Sequence, residues 1–274
     1  MGKNSEGIRR PTRLNACLSY NESMTATILS PKLTPAKEIA QALSRDGYVV
    51  ASPETVAEIS GVPLASLENL SQYWEGLPRD PYLKDGGRYR FRRHASLEIQ
   101  NQTLNLVPHR AHWQSLDYNA LHGGIERWFE PILPVVLNDS AWQGVPLGLA
   151  NLLSGLKPVK TWFVEAHQFR IDTADGIGRP TPEGAHRDGV DFVAVFLLDR
   201  VGIKGGETRI FDAKGSAGLR FTLTQPWSLL LMNDERMIHE STPIQPLADY
   251  GYRDTLVLTF RSNGFQDSPN RSQQ

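Results

Sequence analysis

Cysteine is almost missing: Cys17 is the one thiol in 274 residues. That excludes an internal disulfide framework and any multi-cysteine zinc or iron–sulfur site, and it fits a reducing compartment. No apolar run approaches the ~18 residues a membrane-spanning helix needs. Near the N-terminus Arg9-Arg10 and Leu14-Asn15-Ala16-Cys17 loosely resemble export signals, but neither stands beside an apolar stretch, so no signal peptide is read. An excess of one charge is lacking too. Twenty-nine basic against 30 acidic residues leave a net charge of −1, whereas a general nucleic-acid or anionic-membrane binder needs a basic surplus. The expectation is a cytoplasmic protein with neither nucleic acid nor membrane as partner.

What is present is ordinary globular material, 40% apolar and 22% charged. The chain is long enough for one large β domain. Residues 1–33 are polar and read as a disordered leader, 34–264 as a single domain, and 265–274 as a frayed tail. A helix is expected over 34–47, with Thr34 as cap, Pro35 at its first position, Ile39, Ala40 and Leu43 on its apolar face, and Gly47 as its stop. A strand follows at 48–51, then helices from Pro53 and Pro63. Residues 88–99 alternate as a strand, Tyr89 and Phe91 on one face and Arg90 and Arg92 on the other. Between 125 and 153 the helical spacing should be broken by Pro131, Pro134 and Pro146. From Thr161 the texture changes to short β-branched and aromatic runs at 161–171, 190–198, 207–211, 227–232 and 253–261, separated by glycine and Asn-Asp turns. The fold class is mainly β with peripheral helices, a sandwich or barrel.

His186-Arg187-Asp188 is the strongest local signal, because residues i and i+2 of an extended chain share a face. His239 comes 53 residues later, far enough for several strands to return it beside the pair. Two imidazoles and one carboxylate on one face are the ligand set of non-haem Fe(II) oxygenases, leaving positions open for a co-substrate and dioxygen. The bland alternatives are a loop histidine after Pro180, Pro182 and Gly184, a turn-forming Asp188 before Gly189, and a hydrogen-bonded His239. Arg253 opens a strand whose alternation sets Arg253, Thr255, Val257, Thr259 and Arg261 on one face and Leu256, Leu258 and Phe260 on the other. A guanidinium with a hydroxyl at i+2 suits a carboxylate.

The segment from Pro182 to Asp191, then Gly205-Gly206-Glu207-Thr208, His239 with Thr242-Pro243-Ile244, and Arg253-Asp254-Thr255-Leu256 resemble the bacterial Fe(II)/2-oxoglutarate dioxygenases of the isoleucine-dioxygenase type. Arg88 to Arg93, Tyr118-Asn119 with Gly123-Gly124, and His167 to Arg170 extend the resemblance over about residues 75–262. It implies a double-stranded β-helix (jelly-roll) core and hydroxylation of a small molecule, an L-amino acid or derivative, using Fe(II), 2-oxoglutarate and O2. His186, Asp188 and His239 match the family's iron ligands and Arg253 the arginine for the distal carboxylate of 2-oxoglutarate, with Thr255 as its helper. An α-carboxylate would need a cation in the pocket: Arg90, Arg92 or Arg170. Arg170 and His167 lie on opposite faces of their strand, so only one of them can face the iron.

Other groups point elsewhere less strongly. His109 and His112 have the i, i+3 spacing of a metal pair but follow Pro108 and lack a zincin glutamate. The basic–aromatic run at 88–94 could bind a single strand, but acids elsewhere cancel its field. Gly205-Gly206 reads as a tight turn, not a phosphate loop. Two further readings fit the same residues: a cupin-like metal- or ligand-binding protein without turnover, and a dioxygenase acting on a macromolecule.

Overall fold

The computed structural model describes residues 30–119 and 121–268. The expected leader lies outside the described residues as far as residue 29, and the expected tail does so from 269. Residues between these limits are packed: Leu33 bridges Val50, and the chain beyond Gly264 is held down at the site described below.

A 3-10 turn at Ala36–Glu38 leads into α1 (Ile39–Asp46). Pro35, not Thr34, occupies the cap position, and Ala42 rather than Ala40 joins Ile39 and Leu43 in the core. Gly47, at φ 81°, closes the helix by bonding back to the Leu43 carbonyl. Next come β1 (Tyr48–Ala51), α2 (Pro53–Ser60), α3 (Leu64–Asn69) and a 3-10 turn at Leu70–Trp74. Ser52 caps α2 by accepting from the Thr55 amide. β2 (Arg90–Gln100) and β3 (Thr103–Leu106) form a hairpin, and α4 (Pro134–Leu137) precedes α5 (Ser140–Leu156). α5 corrects the expectation at Pro146, which lies inside it. One lost backbone bond is outweighed by the buried stripe of Trp142, Val145, Leu149 and Leu153. α2 lies close against that helix: a Cβ on Gly148 would stand 2.3 Å from the Ile59 carbonyl.

The β-rich half supplies β4 (Trp162–Asp172), β5 (Phe192–Val201), β6 (Ile203–Gly205), β7 (Thr208–Asp212), β8 (Gly218–Phe221), β9 (Leu229–Asn233), β10 (Met237–Ser241), β11 (Ile244–Pro246) and β12 (Tyr252–Arg261). β6, β8, β10 and β11 lie outside the runs expected from the sequence. Among the described residues the strands form an antiparallel seven-stranded sheet, β1-β9-β5-β12-β4-β2-β3, a three-stranded sheet, β10-β7-β8, and the β11–β6 pair. Gly205 and Gly206, at φ 79° and 66°, make the turn expected there.

The large sheet separates two environments. One face buries Val164, Ala166, Leu256, Leu258 and Phe260 with the apolar stripes of α1, α2 and α5. The other packs Val193, Leu197 and Leu230 against Ile210, Phe221 and Met237 of the smaller sheet. The candidate site occupies the part of this second face that the apolar cluster leaves open.

Candidate functional site

Three central strands run in register, so their polar faces form a grid. Opposite one another across β2, β4 and β12 stand Arg90, Ile171 and Arg253, then Arg92, Phe169 and Thr255, then His94, His167 and Val257, then Ser96, Glu165 and Thr259. Most of these side chains line a cavity of about 130 Å³, with His186, Asp188 and His239 on its far wall. The period-2 geometry of strands is the local cause.

His239 is central on β10, and His186 meets it in an isolated antiparallel bridge. Each backbone N–H donates to the other's carbonyl, at 3.0 and 2.9 Å, which closes the gap in sequence. The imidazoles lie 4.5 Å apart. Asp188 Oδ1 is 3.7 Å from His186 Nε2, and Oδ2 is 3.9 Å from His239 Nε2. His186 Nδ1 lies 2.9 Å from the Gly184 carbonyl, which can only accept. Nδ1 therefore carries a proton, which leaves Nε2 as the atom that can reach a metal. Burial would lower this imidazole, but the Asp188 and Glu183 carboxylates beside Nε2 outweigh it and raise it above its ordinary value. Burial holds His239 well below the usual histidine range, in the neutral form a metal needs. The three ligand atoms lie within 4.8 Å of one another. Imidazole, imidazole and carboxylate with one open side fit Fe(II).

The loop that carries Asp188 is fastened from two directions. The Asp234 carboxylate accepts from the amides of Asp188, Gly189 and Val190 at 2.9, 2.7 and 3.1 Å. Burial, with Asp188 nearby, pushes the Asp234 carboxyl up to about 7. From the other side Gln266 Nε2 donates to the carbonyls of Asp188 and Gly189, at 2.8 and 3.1 Å. Phe265 also packs edge-on against Phe163. The frayed tail expected from 265 is thus corrected for residues 265–268, because buried polar groups of the site need the partners this segment brings.

Arg253 is buried, and among the described residues no hydrogen bond or ion pair engages its guanidinium. Burial lowers it to about 10, with Arg200 adding to the effect. A buried cation with unused donors facing a cavity suits an anionic ligand. Thr255 lines the same cavity, and its carbonyl accepts from Trp74 Nε1.

A second group of imidazoles and carboxylate lies deeper: His94, His112, Glu165 and His167, whose ligand atoms also fall within 4.8 Å of one another. Its chemistry differs from the triad's. Arg92 Nη2 is 2.7 Å from His167 Nδ1. A guanidinium can only donate, so that nitrogen accepts and the His167 proton sits on Nε2. Glu165 is bonded by His112 Nδ1 at 3.0 Å, with His94 Nε2 at 3.3 Å and Arg110 at 3.5 Å. Burial would raise the Glu165 carboxyl, but His112 and His94 outweigh it and hold it well below the carboxylate range. Arg92 and Arg127 stand nearby, so the local field disfavours a dication. The group is a hydrogen-bonded network behind the cavity.

The substrate-side residues divide. Arg90, Arg92 and His167 line the cavity. Arg90 Nε donates to Asp80 at 2.7 Å, and Arg92, whose Nη1 lies 3.7 Å from the same carboxylate, keeps an unpartnered Nε. Arg170 is corrected: it points to the opposite face of β4, where Asp254 takes both arms of its fork at 2.8 and 2.7 Å. Sequence reasoning missed Arg127, Gln114 and Glu183. Arg127 is 2% exposed with an unpartnered Nε, burial lowers it to about 10, and it lines the cavity near Arg92. Arg127 and Gln114 sit in irregular chain between β3 and α4, where no period announces a face. Glu183 stands inside the quoted Pro182–Asp191 motif, three residues before His186, and that was the available signal.

A family model described as 2OG-Fe dioxygenase matches residues 71–259. Among solved structures, a bsmA homolog from Methylobium petroleophilum PM1 is 49% identical, with a TM-score of 0.82 over 86% of this chain and 97% of that one. The IDO of Bacillus thuringiensis is 17% identical, with a TM-score of 0.68 over 87% and 100% of the two chains. TqaL, an Fe(II)/(alpha)ketoglutarate-dependent dioxygenase, is also 17% identical, with a TM-score of 0.62 over 82% and 86%. These last two likenesses concern the fold. No curated protein matches the chain.

Proposed function

The chain belongs to the 2OG-Fe dioxygenase family, and from that premise we propose that it hydroxylates an unactivated C–H bond of a small carboxylate-bearing molecule, an L-amino acid or a derivative. It is a non-haem enzyme using Fe(II), 2-oxoglutarate and O2. One oxygen atom of O2 enters succinate as 2-oxoglutarate loses CO2, and the other enters the product. The finer assignment, to the isoleucine-dioxygenase type on a double-stranded β-helix, rests on the motif resemblance and is consistent with the antiparallel sheets.

The reading gives each residue a task. His186, Asp188 and His239 hold the metal, which supplies the oxidising power when O2 and 2-oxoglutarate are bound. Arg253 takes the distal carboxylate of 2-oxoglutarate, with the Thr255 hydroxyl beside it. Arg92, joined by Arg127, receives the carboxylate of the substrate. Phe169, Val195 and Val257 give its aliphatic part a dry wall and keep water from the reacting carbon.

The observation that carries this is a cavity lined by His186, Asp188 and His239 together with buried guanidinium groups from separate segments, Arg253 of β12 and Arg92 with Arg127. Two cation sites suit two different acids. Candidate amino acids and their decarboxylated amines, each followed by succinate release, test it. Acids should couple and amines should fail. Equal coupling with both would show that no substrate carboxylate is read, and the amino-acid assignment would fall. No helix among the described residues is long and apolar enough to cross a membrane.

A further inference from the structure

Gln114 touches both ends of the cavity. It is buried, and its Nε2 donates to Asp188 Oδ1 at 3.0 Å. Its Oε1 accepts from Arg127 Nη2 at 2.8 Å and from Asn119 Nδ2 at 3.3 Å. Chemistry fixes the orientation of the amide. Arg127 can only donate, so the amide oxygen faces it and the amide nitrogen faces the Asp188 carboxylate. The amide is thus a single conjugated link between a guanidinium on the substrate side and a carboxylate on the metal side. A cationic donor on the oxygen of an amide polarises it and strengthens the bond its N–H makes.

We propose that Gln114 is a positioning residue that couples Arg127 to Asp188, so that an anion captured by Arg127 is sensed at the metal-ligating carboxylate. With Arg127 unoccupied, its charge pulls on the Gln114 oxygen, and the Gln114 N–H holds Asp188 firmly. When a carboxylate takes up the free edge of Arg127, that polarisation falls and Asp188 is released to interact more strongly with the metal. The coupling is reciprocal: metal at Asp188 changes the affinity of Arg127 for an anion by the same factor. This rests on the reading of His186, Asp188 and His239 as the metal site, and it adds a link between that site and the substrate end.

The test uses Co(II) as the probe, titrated into the full-length chain without added acids. Affinity is read by calorimetry and by the cobalt d–d absorption. Gln114→Ala removes the hold on Asp188 altogether and should tighten Co(II) binding at least as much as Arg127→Gln does. The deciding measurement is a double-mutant cycle. Arg127→Gln should strengthen Co(II) binding and shift the absorption in the parent protein, and should do both by a clearly smaller factor in the Gln114→Ala background, where only the direct field of Arg127 remains. An Arg127→Gln effect of the same factor in both backgrounds would overturn the proposal. Gln114→Met, close in size and without an N–H to donate to Asp188, repeats the cycle if the alanine variant does not fold. His239→Ala is the control. If it binds Co(II) as the parent does, the metal-site reading fails and the coupling with it. If it loses the metal while the cycle is additive, the coupling alone fails.

Discussion

In the triad, His186 donates its Nδ1 proton to the Gly184 carbonyl, and its Nε2 stands 3.7 Å from Asp188 with no guanidinium bonded to it. In the group behind the cavity, Arg92 fills the Nδ1 lone pair of His167, and Glu165 is taken up by His112, His94 and Arg110. Both groups are built from histidines and one acid, and in both the candidate ligand atoms lie within 4.8 Å of one another, but the triad is half-buried and the second group fully buried. What separates them is the company each keeps: backbone carbonyls and an amide around one, guanidinium groups around the other. A metal site is defined by which lone pairs remain free and by the surrounding charge, and residue type and spacing do not settle either.

The strongest way to break this comparison is to disable each group in turn. Asp188→Ala should abolish both iron-dependent turnover and metal retention, while Glu165→Gln should still bind one metal per chain, with a lowered unfolding temperature. Metal content by elemental mass spectrometry decides it, and a protein that lost its metal on Glu165→Gln would invert the assignment. Next in size is the anchor for 2-oxoglutarate. Arg253→Ala should leave a carboxylate unpaired in a dry pocket, costing on the order of 2–5 kcal/mol, or ~30- to several-thousand-fold in apparent affinity. Arg253→Lys should recover only part, since a point charge replaces a fork. Unchanged affinity for 2-oxoglutarate would move the anchor elsewhere.

A smaller effect is expected at Arg92, because Arg127 remains. Arg92→Ala should raise KM for the substrate roughly 10- to 100-fold, the range for one hydrogen bond to a charged group. KM for 2-oxoglutarate should stay within about two-fold, a split that a general packing defect would not give.

The smallest effect is on stability, and it separates the network histidines from ordinary ones. Burial lowers His112 to about 3, against the opposing pull of Glu165. The unfolded chain takes up this proton near 6.5 and the folded chain does not, so the contribution is complete above pH 6.5 and is lost as the pH falls. Between pH 6.5 and 5 that amounts to about 2 kcal/mol at most. Urea midpoints at pH 7 and pH 5 should diverge less in His112→Gln than in the parent. Equal divergence would show that His112 is not the group resisting protonation.

Much of the site could be read from local geometry. The alternation in Arg253–Arg261 correctly separates a cavity face from the core face of Leu256, Leu258 and Phe260. The same period puts Arg90 with Arg92, and His167 opposite Arg170. It could not say which face of β4 meets the cavity. That depended on Asp254 lying directly across from Arg170, a register that forms only once β12 and β4 pair. Arg127 and Gln114 carry no periodic signal, and a bridge between His112 and Arg127 brings their segment to the cavity. At Pro146 a local rule gave way to a buried helix stripe, and beyond Gly264 polar composition gave way to a side chain the site needed.

By itself, then, the amino-acid order determined the strand faces, the His-x-Asp pair, the Arg-x-Thr pair and the absence of any thiol alternative, because two-residue periodicity and residue chemistry act over a few ångströms along the chain. Tertiary structure decided that His239 closes on His186 through paired backbone bonds, that Arg170 is spent on Asp254 while Arg127 faces the cavity, and that Arg92 fills the His167 lone pair while His112 and Arg110 engage Glu165. Those outcomes depend on partners drawn from distant parts of the chain, and a buried polar group takes its role from whichever partner satisfies it.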